Sequence, residues 1–260
     1  MRIRFHVDMD GTLWDAEDRN RAIIQREAKK HAPTLAFMDE TTYSAFWVEK
    51  WKTCAGKTET QIHIILGEHG HHLRTITPEA FEDHCRGQWP HHLEDVKINV
   101  ELLHFLTEQV LQGHRAGIVT SSRAEDVDCY VRLAEEYVEN ANAIFGSVVS
   151  CDDVSVENRK PKPLPYQISA HHLGDGEDVL HIGIEDSMNG ANSFTAAFGA
   201  NQRAVLFYLN PHTPYQGTDP RVISVKDVNE LRSQYGELME SLGQGHRART
   251  PAATAGLHVK

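Results

Sequence analysis

Five short apolar runs, four of them separated from the next by a helical pattern, constrain this 260-residue chain more than any other feature. They are Ile3–Val7, Arg115–Thr120, Ile144–Ser150, Val179–Ile184 and Ala204–Leu209. Val100–Leu111 places Leu103, Leu106 and Val110 on one helical face and ends before Gly113. Ser122-Arg123-Ala124-Glu125 reads as a capping box opening a helix with Val127, Val131, Ala134 and Val138 inward. Further helices are predicted over Tyr166–Leu173, stopping at Gly174, and Met188–Phe198, stopping at Gly199. Strands alternating with helices predict an α/β fold with a parallel, doubly wound, Rossmann-like sheet. Ligands of such sheets bind beyond the carboxyl ends of the strands.

The stretch from 15 to 93 breaks the rhythm. Helical patterns at Asp18–Lys30, Asp39–Lys52, Thr58–Leu66 and Pro78–Trp89 follow one another with no convincing strand, and Thr77-Pro78 is a good helix start. The expectation is an α-helical cap inserted between residues 1–14 and 94–242 of the core, folded over the strand ends. The stretch 243–260, rich in Gly, Ala, Thr and His without periodicity, is expected to be a disordered tail.

The carboxyl ends of the predicted strands carry the chemistry. The first run is followed by Asp8-Met9-Asp10-Gly11-Thr12-Leu13, two carboxylates one residue apart with a glycine for the turn. Two unpaired buried carboxylates are costly, and a metal ion offsets the cost. The second run ends in Thr120-Ser121-Ser122, hydroxyls at a helix start that suit a phosphate. After the third comes Arg159-Lys160-Pro161-Lys162-Pro163, whose prolines hold a lysine on a rigid loop. The fourth ends in Glu185-Asp186-Ser187. In the assembly these suggest, Asp8 and Asp186 ligate Mg²⁺, with Glu185 behind them. Thr120 and Lys160 hold phosphoryl oxygens, Asp8 attacks phosphorus, and Asp10 serves as acid and then base.

These residues resemble the haloacid dehalogenase superfamily, whose four motifs appear here in order over about Arg2 to Leu209. The sub-pattern is similar to the branch of β-phosphoglucomutases and phosphoglycolate phosphatases, which implies a Rossmann-like core with a helical cap inserted after the first motif. The resemblance also implies a metal ligand in the backbone carbonyl of Asp10. It implies a substrate-reading cap loop in Ala55-Gly56-Lys57-Thr58-Glu59-Thr60, where Gly56 permits close approach and Lys57 or Lys52 meets a second anionic group. Ser121 and Ser122 join the substrate contacts, and Asp15 and Asn20 lie near substrate or hinge. Two departures stand out. An acid usually follows the lysine loop where this chain has Leu164-Pro165, predicting altered loop packing. Where mutases of the branch carry a cap histidine this chain has Asn20, which favours hydrolysis.

The implied activity is a Mg²⁺-dependent phosphatase acting on a small phosphorylated metabolite through an aspartyl phosphate on Asp8. A sugar-phosphate mutase is the alternative within the same chemistry. A catalytically silent binding or regulatory module is the alternative outside it. Net charge of −11 argues against nucleic acid, which needs a basic stripe. No apolar run approaches a membrane helix, and the chain enters a strand at once, so neither membrane span nor secretory leader is expected. Cys54, Cys85, Cys129 and Cys151 lack CxxC spacing and are expected as free thiols in a cytoplasmic monomer or weak homodimer. Trp47 and Trp51, four apart, are expected in the cap core. His69, His71, His72 and His84 with Cys85 fit no strong zinc template and are read as solvated surface.

Overall fold

The computed structural model describes residues 1–54, 59–176, 178–199 and 202–247. A six-stranded parallel sheet forms the core. Its strands are β1 (Arg2–Val7), β4 (Arg115–Val119), β5 (Phe145–Val149), β6 (Val179–Glu185), β7 (Ala204–Leu209) and β8 (Val222–Val225), in the order β5-β4-β1-β6-β7-β8. A two-residue antiparallel pair, β2 (Trp14–Asp15) and β3 (Lys97–Ile98), lies outside it. The helices are α1 (Glu17–His31), α2 (Pro33–Ala36), α3 (Glu40–Cys54), α4 (Glu59–Glu68), α5 (Pro78–Arg86), α6 (Val100–Leu111), α7 (Ala124–Ala134), α8 (Ala141–Ile144), α9 (Leu164–Leu173), α10 (Met188–Ala197) and α11 (Val228–Arg247).

Strand β1 sits mid-sheet. Val7 is level with Ile118 of β4 on one side and Ile184 of β6 on the other. The residues that follow these strands are therefore side by side, which is how chain-distant motifs converge. Strand β1 has no inside/outside pattern: Ile3 through Val7 are all buried. Helices cover both faces, as parallel sheets require, so Arg4 and His6 are buried polar residues that need partners.

The local helix signals act as their chemistry dictates. Asn99 caps α6 by accepting from the Leu102 amide at 3.2 Å, and Thr77 caps α5 by accepting from Ala80 at 3.2 Å. Three expectations are corrected. The box opening α7 lies one residue later: Arg123 is the cap, and its amide donates to Asp126 at 3.3 Å. Ser122 is unavailable because its hydroxyl is bonded elsewhere, and Val138 lies beyond the helix end, half-buried against the core. Helix α11 continues through Arg247, so no break occurs at Gly243. Strand β8 gave no signal because it is four residues long and enters from a loop rather than a helix.

Residues 23–89 build a hydrophobic cluster of their own, including Ile23, Ile24, Trp47, Ile62, Phe81, Cys85 and Trp89. Trp47 is buried there, and truncating it to alanine costs about 3–5 kcal/mol. The chain enters and leaves this region through β2 and β3, where Trp14 pairs with Ile98 and Asp15 with Lys97. Asn99 reinforces the junction, its amide donating to the Leu13 carbonyl at 2.8 Å and its side chain to Thr12 at 3.0 Å. The expectation of no strand over 15–93 thus fails at its first residue, because two residues per side are too few to produce a sequence period. Cys85, Cys129 and Cys151 are buried free thiols.

Candidate active site

The strand ends gather a cage of charge. The Asp8 amide donates to the Ile184 carbonyl at 2.9 Å, which fixes the residue between β1 and β6. Its Oδ1 accepts from Lys160 Nζ at 2.7 Å. The same ammonium donates to the Val119 carbonyl at 2.7 Å and to Glu185 Oε1 at 2.5 Å, using all three of its donors. Tyr166, from α9, donates its hydroxyl to Glu185 Oε1 at 2.5 Å, and Ser187 donates to Oε2 at 3.2 Å. Carboxylate oxygens of Asp8, Glu185 and Asp186 lie within 4.8 Å of one another.

Two glycines make the approach possible. Gly11 has φ +77°, and a Cβ there would stand 2.1 Å from Asp186 Oδ2. At Gly190 a Cβ would fall 1.9 Å from the Glu185 carboxyl carbon.

Three carboxylates face one ammonium, leaving an excess of two negative charges when all are ionised. That excess sets how tightly each group holds its proton. Burial, then the charge of Glu185, pushes the Asp8 carboxyl well above the ordinary carboxylate range, with Lys160 pulling the other way. The same two causes, in the same order, push Asp186 up to about 7. Burial opposes the Lys160 charge, but Asp8 and Glu185 outweigh it and hold the ammonium above its ordinary value. This donor set, all hard oxygen and short of positive charge, fits a divalent cation such as Mg²⁺.

Asp10 is held from three sides. Its Oδ1 accepts from the Trp14 indole Nε1 at 2.9 Å. Its Oδ2 accepts from the hydroxyls of Ser122 at 2.6 Å and Thr120 at 3.2 Å. Thr120 Oγ1 accepts in turn from the Ser122 amide at 3.0 Å. Thr120 and Ser122, read from the sequence as facing a phosphate, thus direct their hydroxyls at Asp10. A carboxylate only accepts, so it collects the donors around it. Ser121 is exposed and lines the cavity.

That cavity, about 400 Å³, has Asp8, Asp10, Lys160, Asp186 and Ser121 on the core side. Asp15, Glu17, Asn20, Ile24, Trp51 and Glu59 line it on the cap side. Trp51 packs against the cap cluster but also faces the cavity, donating its indole N–H to Glu17 Oε1 at 2.7 Å. The expectation of core packing therefore describes Trp47 fully and Trp51 only in part. Gly56 and Lys57 lie outside the described residues, as does the Lys52 side chain. Among the described residues Asp8, Glu185 and Asp186 form the one cluster with metal-ligand spacing, and the histidines at 69–84 form none.

Sequence reasoning missed Trp14, Tyr166 and Asn210. Asn210 donates to the Asp186 carbonyl at 3.0 Å and steadies the end of β6. Each reaches its partner across the sheet or through a turn, so local spacing carries no trace of it.

No protein-family model matches the chain, and no curated protein matches it in sequence. Solved structures do. The chain is 18% identical to CbbY from Rhodobacter sphaeroides, crystallised in complex with phosphate, over 89% of this chain and 96% of that one, with a TM-score of 0.65. A Thermotoga maritima protein carrying the name β-phosphoglucomutase aligns at 20% identity over 91% and 99% of the two chains, TM-score 0.63. YfnB of Bacillus subtilis, named as a haloacid dehalogenase-like hydrolase and crystallised with magnesium, aligns at 13% identity over 88% and 96%, TM-score 0.58. At these identities the likeness is one of fold, and it spans core and cap together. Among the described residues no helix is long and apolar enough to cross a membrane.

Proposed function

We propose that this chain, which shares its fold with haloacid dehalogenase-like hydrolases, is a Mg²⁺-dependent phosphatase of small phosphomonoesters, working through an aspartyl phosphate on Asp8. The observation that carries the reading is the cage itself. A buried carboxylate, an ammonium bonded to it and an acidic pair one strand away converge at the wall of a cavity of metabolite size.

Lys160 occupies Asp8 Oδ1, and Oδ2 is the oxygen that attacks phosphorus. The bond from Oδ2 to phosphorus forms as the bond to the leaving oxygen breaks. Asp10, protonated, gives its proton to that oxygen. The resulting Asp10 carboxylate takes a proton from water as the water attacks the aspartyl phosphate. Phosphate leaves, Asp8 is regenerated and Asp10 is protonated again. Glu185 accepts from Lys160, Tyr166 and Ser187, so its role is to hold Lys160 and balance its charge. Asp8, Asp186 and the Asp10 carbonyl would hold the magnesium ion, which supplies neutralisation of phosphoryl charge when bound.

Asn20 lines the cavity where a proton-shuttling cap histidine would favour phosphoryl transfer between sugar hydroxyls, and an amide shuttles no proton. Hydrolysis is therefore the reading over mutase activity. The test is a phosphomonoester panel with magnesium or EDTA, for the parent and Asp8→Asn. Phosphate release that needs magnesium and Asp8 is the expected result. Release that persists in Asp8→Asn removes the nucleophile assignment, and conversion of glucose 1-phosphate without free phosphate replaces hydrolysis by transfer.

A further inference from the structure

Arg19 of α1 is 1% exposed, yet among the described residues its Nη1 and Nη2 have no hydrogen-bond partner. Guanidinium does not shed its proton, so a permanent charge is buried here with most of its donors unused, an arrangement that persists only with compensation. Part of the compensation comes from the carboxylate charges of Asp126 and Asp10, and part is aromatic. The Arg19 Cζ lies 5.0 Å from the ring centroid of Trp14 and 5.1 Å from that of Trp89, between two indole faces. Trp14 belongs to β2, where the chain enters the cap, and Trp89 to the 3₁₀ turn Trp89–His91, shortly before it leaves. The far contact of Trp14 is the Tyr130 ring, edge-on at 5.9 Å.

The two central members of this stack each lead to the cavity. The Trp14 Nε1 donates to Asp10, and Arg19 Nε donates to Asn20 Oδ1 at 3.0 Å. Asp10 and Asn20 both line the cavity, one from the core and one from the cap. An indole ring pinned between a guanidinium and a tyrosine cannot swivel, so its N–H stays aimed at the carboxylate.

The geometry points to Arg19 as a positioning residue that fixes Asp10 through the Trp14 indole and Asn20 directly, tying the aspartate to the segment joining cap and core. Its kinetic consequence rests on the phosphatase reading, in which Asp10 moves the proton. The positional claim does not.

Four tryptophans give four indole N–H signals in the ¹⁵N-labelled protein, and Trp14→Phe identifies one by deletion. In Arg19→Met the Trp14 signal is expected to move and to exchange with solvent faster, while the Trp47 signal stays. Arg19→Lys, which keeps the cation, restores most of the parent spectrum. A Trp14 signal that ignores Arg19→Met overturns the inference. In the kinetic arm, Trp14→Phe and Arg19→Met lower kcat roughly ten- to a hundredfold with KM little changed, as expected for a displaced acid/base. A merely structural role would lower Tm and leave kcat per folded molecule alone, and that outcome also overturns it. Trp14→Phe keeps a ring in the stack and loses only the N–H, so it carries the kinetic arm if Arg19→Met does not fold. A parent protein inactive on every phosphomonoester sinks the phosphatase reading, while the indole spectra still decide the role of Arg19.

Discussion

His6 and Asp8 stand two residues apart on the same chain segment, both buried and both polar, and their surroundings differ in kind. Around His6 every donor meets an acceptor. The Asp175 carboxylate lies 3.0 Å from His181 Nε2, so that nitrogen carries the proton and Nδ1 accepts. Nδ1 lies 3.0 Å from His6 Nε2, which therefore donates, and His6 Nδ1 at 2.9 Å accepts from the Ser169 hydroxyl. The chain closes with both imidazoles neutral. Around Asp8 the hydrogen bonds are as short, but three carboxylates share one ammonium. A buried polar network that balances is architecture; one that carries surplus charge of one sign beside a cavity is poised for a ligand of the other sign.

The contrast breaks first at Asp8. Asp8→Asn should lower phosphate release by a factor on the order of 10⁴ or more, since no other group replaces the nucleophile. Steady-state assay at saturating magnesium checks it, and a loss of less than tenfold would make Asp8 no different in kind from His6. Lys160→Met should cost about 10²–10³ in kcat. It also leaves Asp8 and Glu185 buried against each other, so the metal-free protein should lose about 3–5 kcal/mol in denaturant unfolding.

Magnesium probes the surplus charge directly. At about a hundred times its Kd it should stabilise the fold by about 2.7 kcal/mol, read as a rise in Tm that EDTA reverses and Asp186→Asn abolishes. His6→Leu should do the reverse of the Asp8 change. It orphans His181 Nδ1 and costs about 1–3 kcal/mol, with a far smaller effect on kcat.

The smallest expected effect sharpens the comparison through pH. Burial, then the proximity of His181, holds the His6 imidazole well below its ordinary value, and burial lowers His181 against the pull of Asp175. Both stay neutral in the fold while the unfolded chain takes up protons below pH 6.5 or so. The unfolded state then binds more protons, so stability is full above that pH and falls as pH drops below it. The raised Asp8 and Asp186 carboxyls contribute with the opposite sign over the same range, so the measure is the difference from a variant with His6→Leu and His181→Phe: between pH 7.5 and 5 the parent's urea midpoint should fall relative to the variant's. A difference that stays constant over that range assigns the acid sensitivity elsewhere.

Much of the site was legible because its signals are local. Asp8, Asp10, Lys160 and Asp186 each follow an apolar run that only a strand explains, and parallel strands bring such ends level. Val7 opposite Ile118 and Ile184 is that rule in this molecule. The helix starts at Thr77 and Asn99 were legible for the same reason, since a cap and the amide it accepts from lie three residues apart. The short strands Trp14–Asp15, Lys97–Ile98 and Val222–Val225 were not, having too few residues to set up a readable alternation.

By itself the sequence determined the alternation, the order of the motifs and which carboxylates stand at strand ends, because strand period, turn chemistry and capping act over a few residues. Only the tertiary structure decided that Thr120, Ser122 and Trp14 all turn to Asp10, that Tyr166 steadies Glu185, and that His6 finds His181 across 175 positions of chain. Those partners are chosen by which donors and acceptors a packed interior leaves within 3 Å or so of one another, and that choice is made in space, after the local rules have been satisfied.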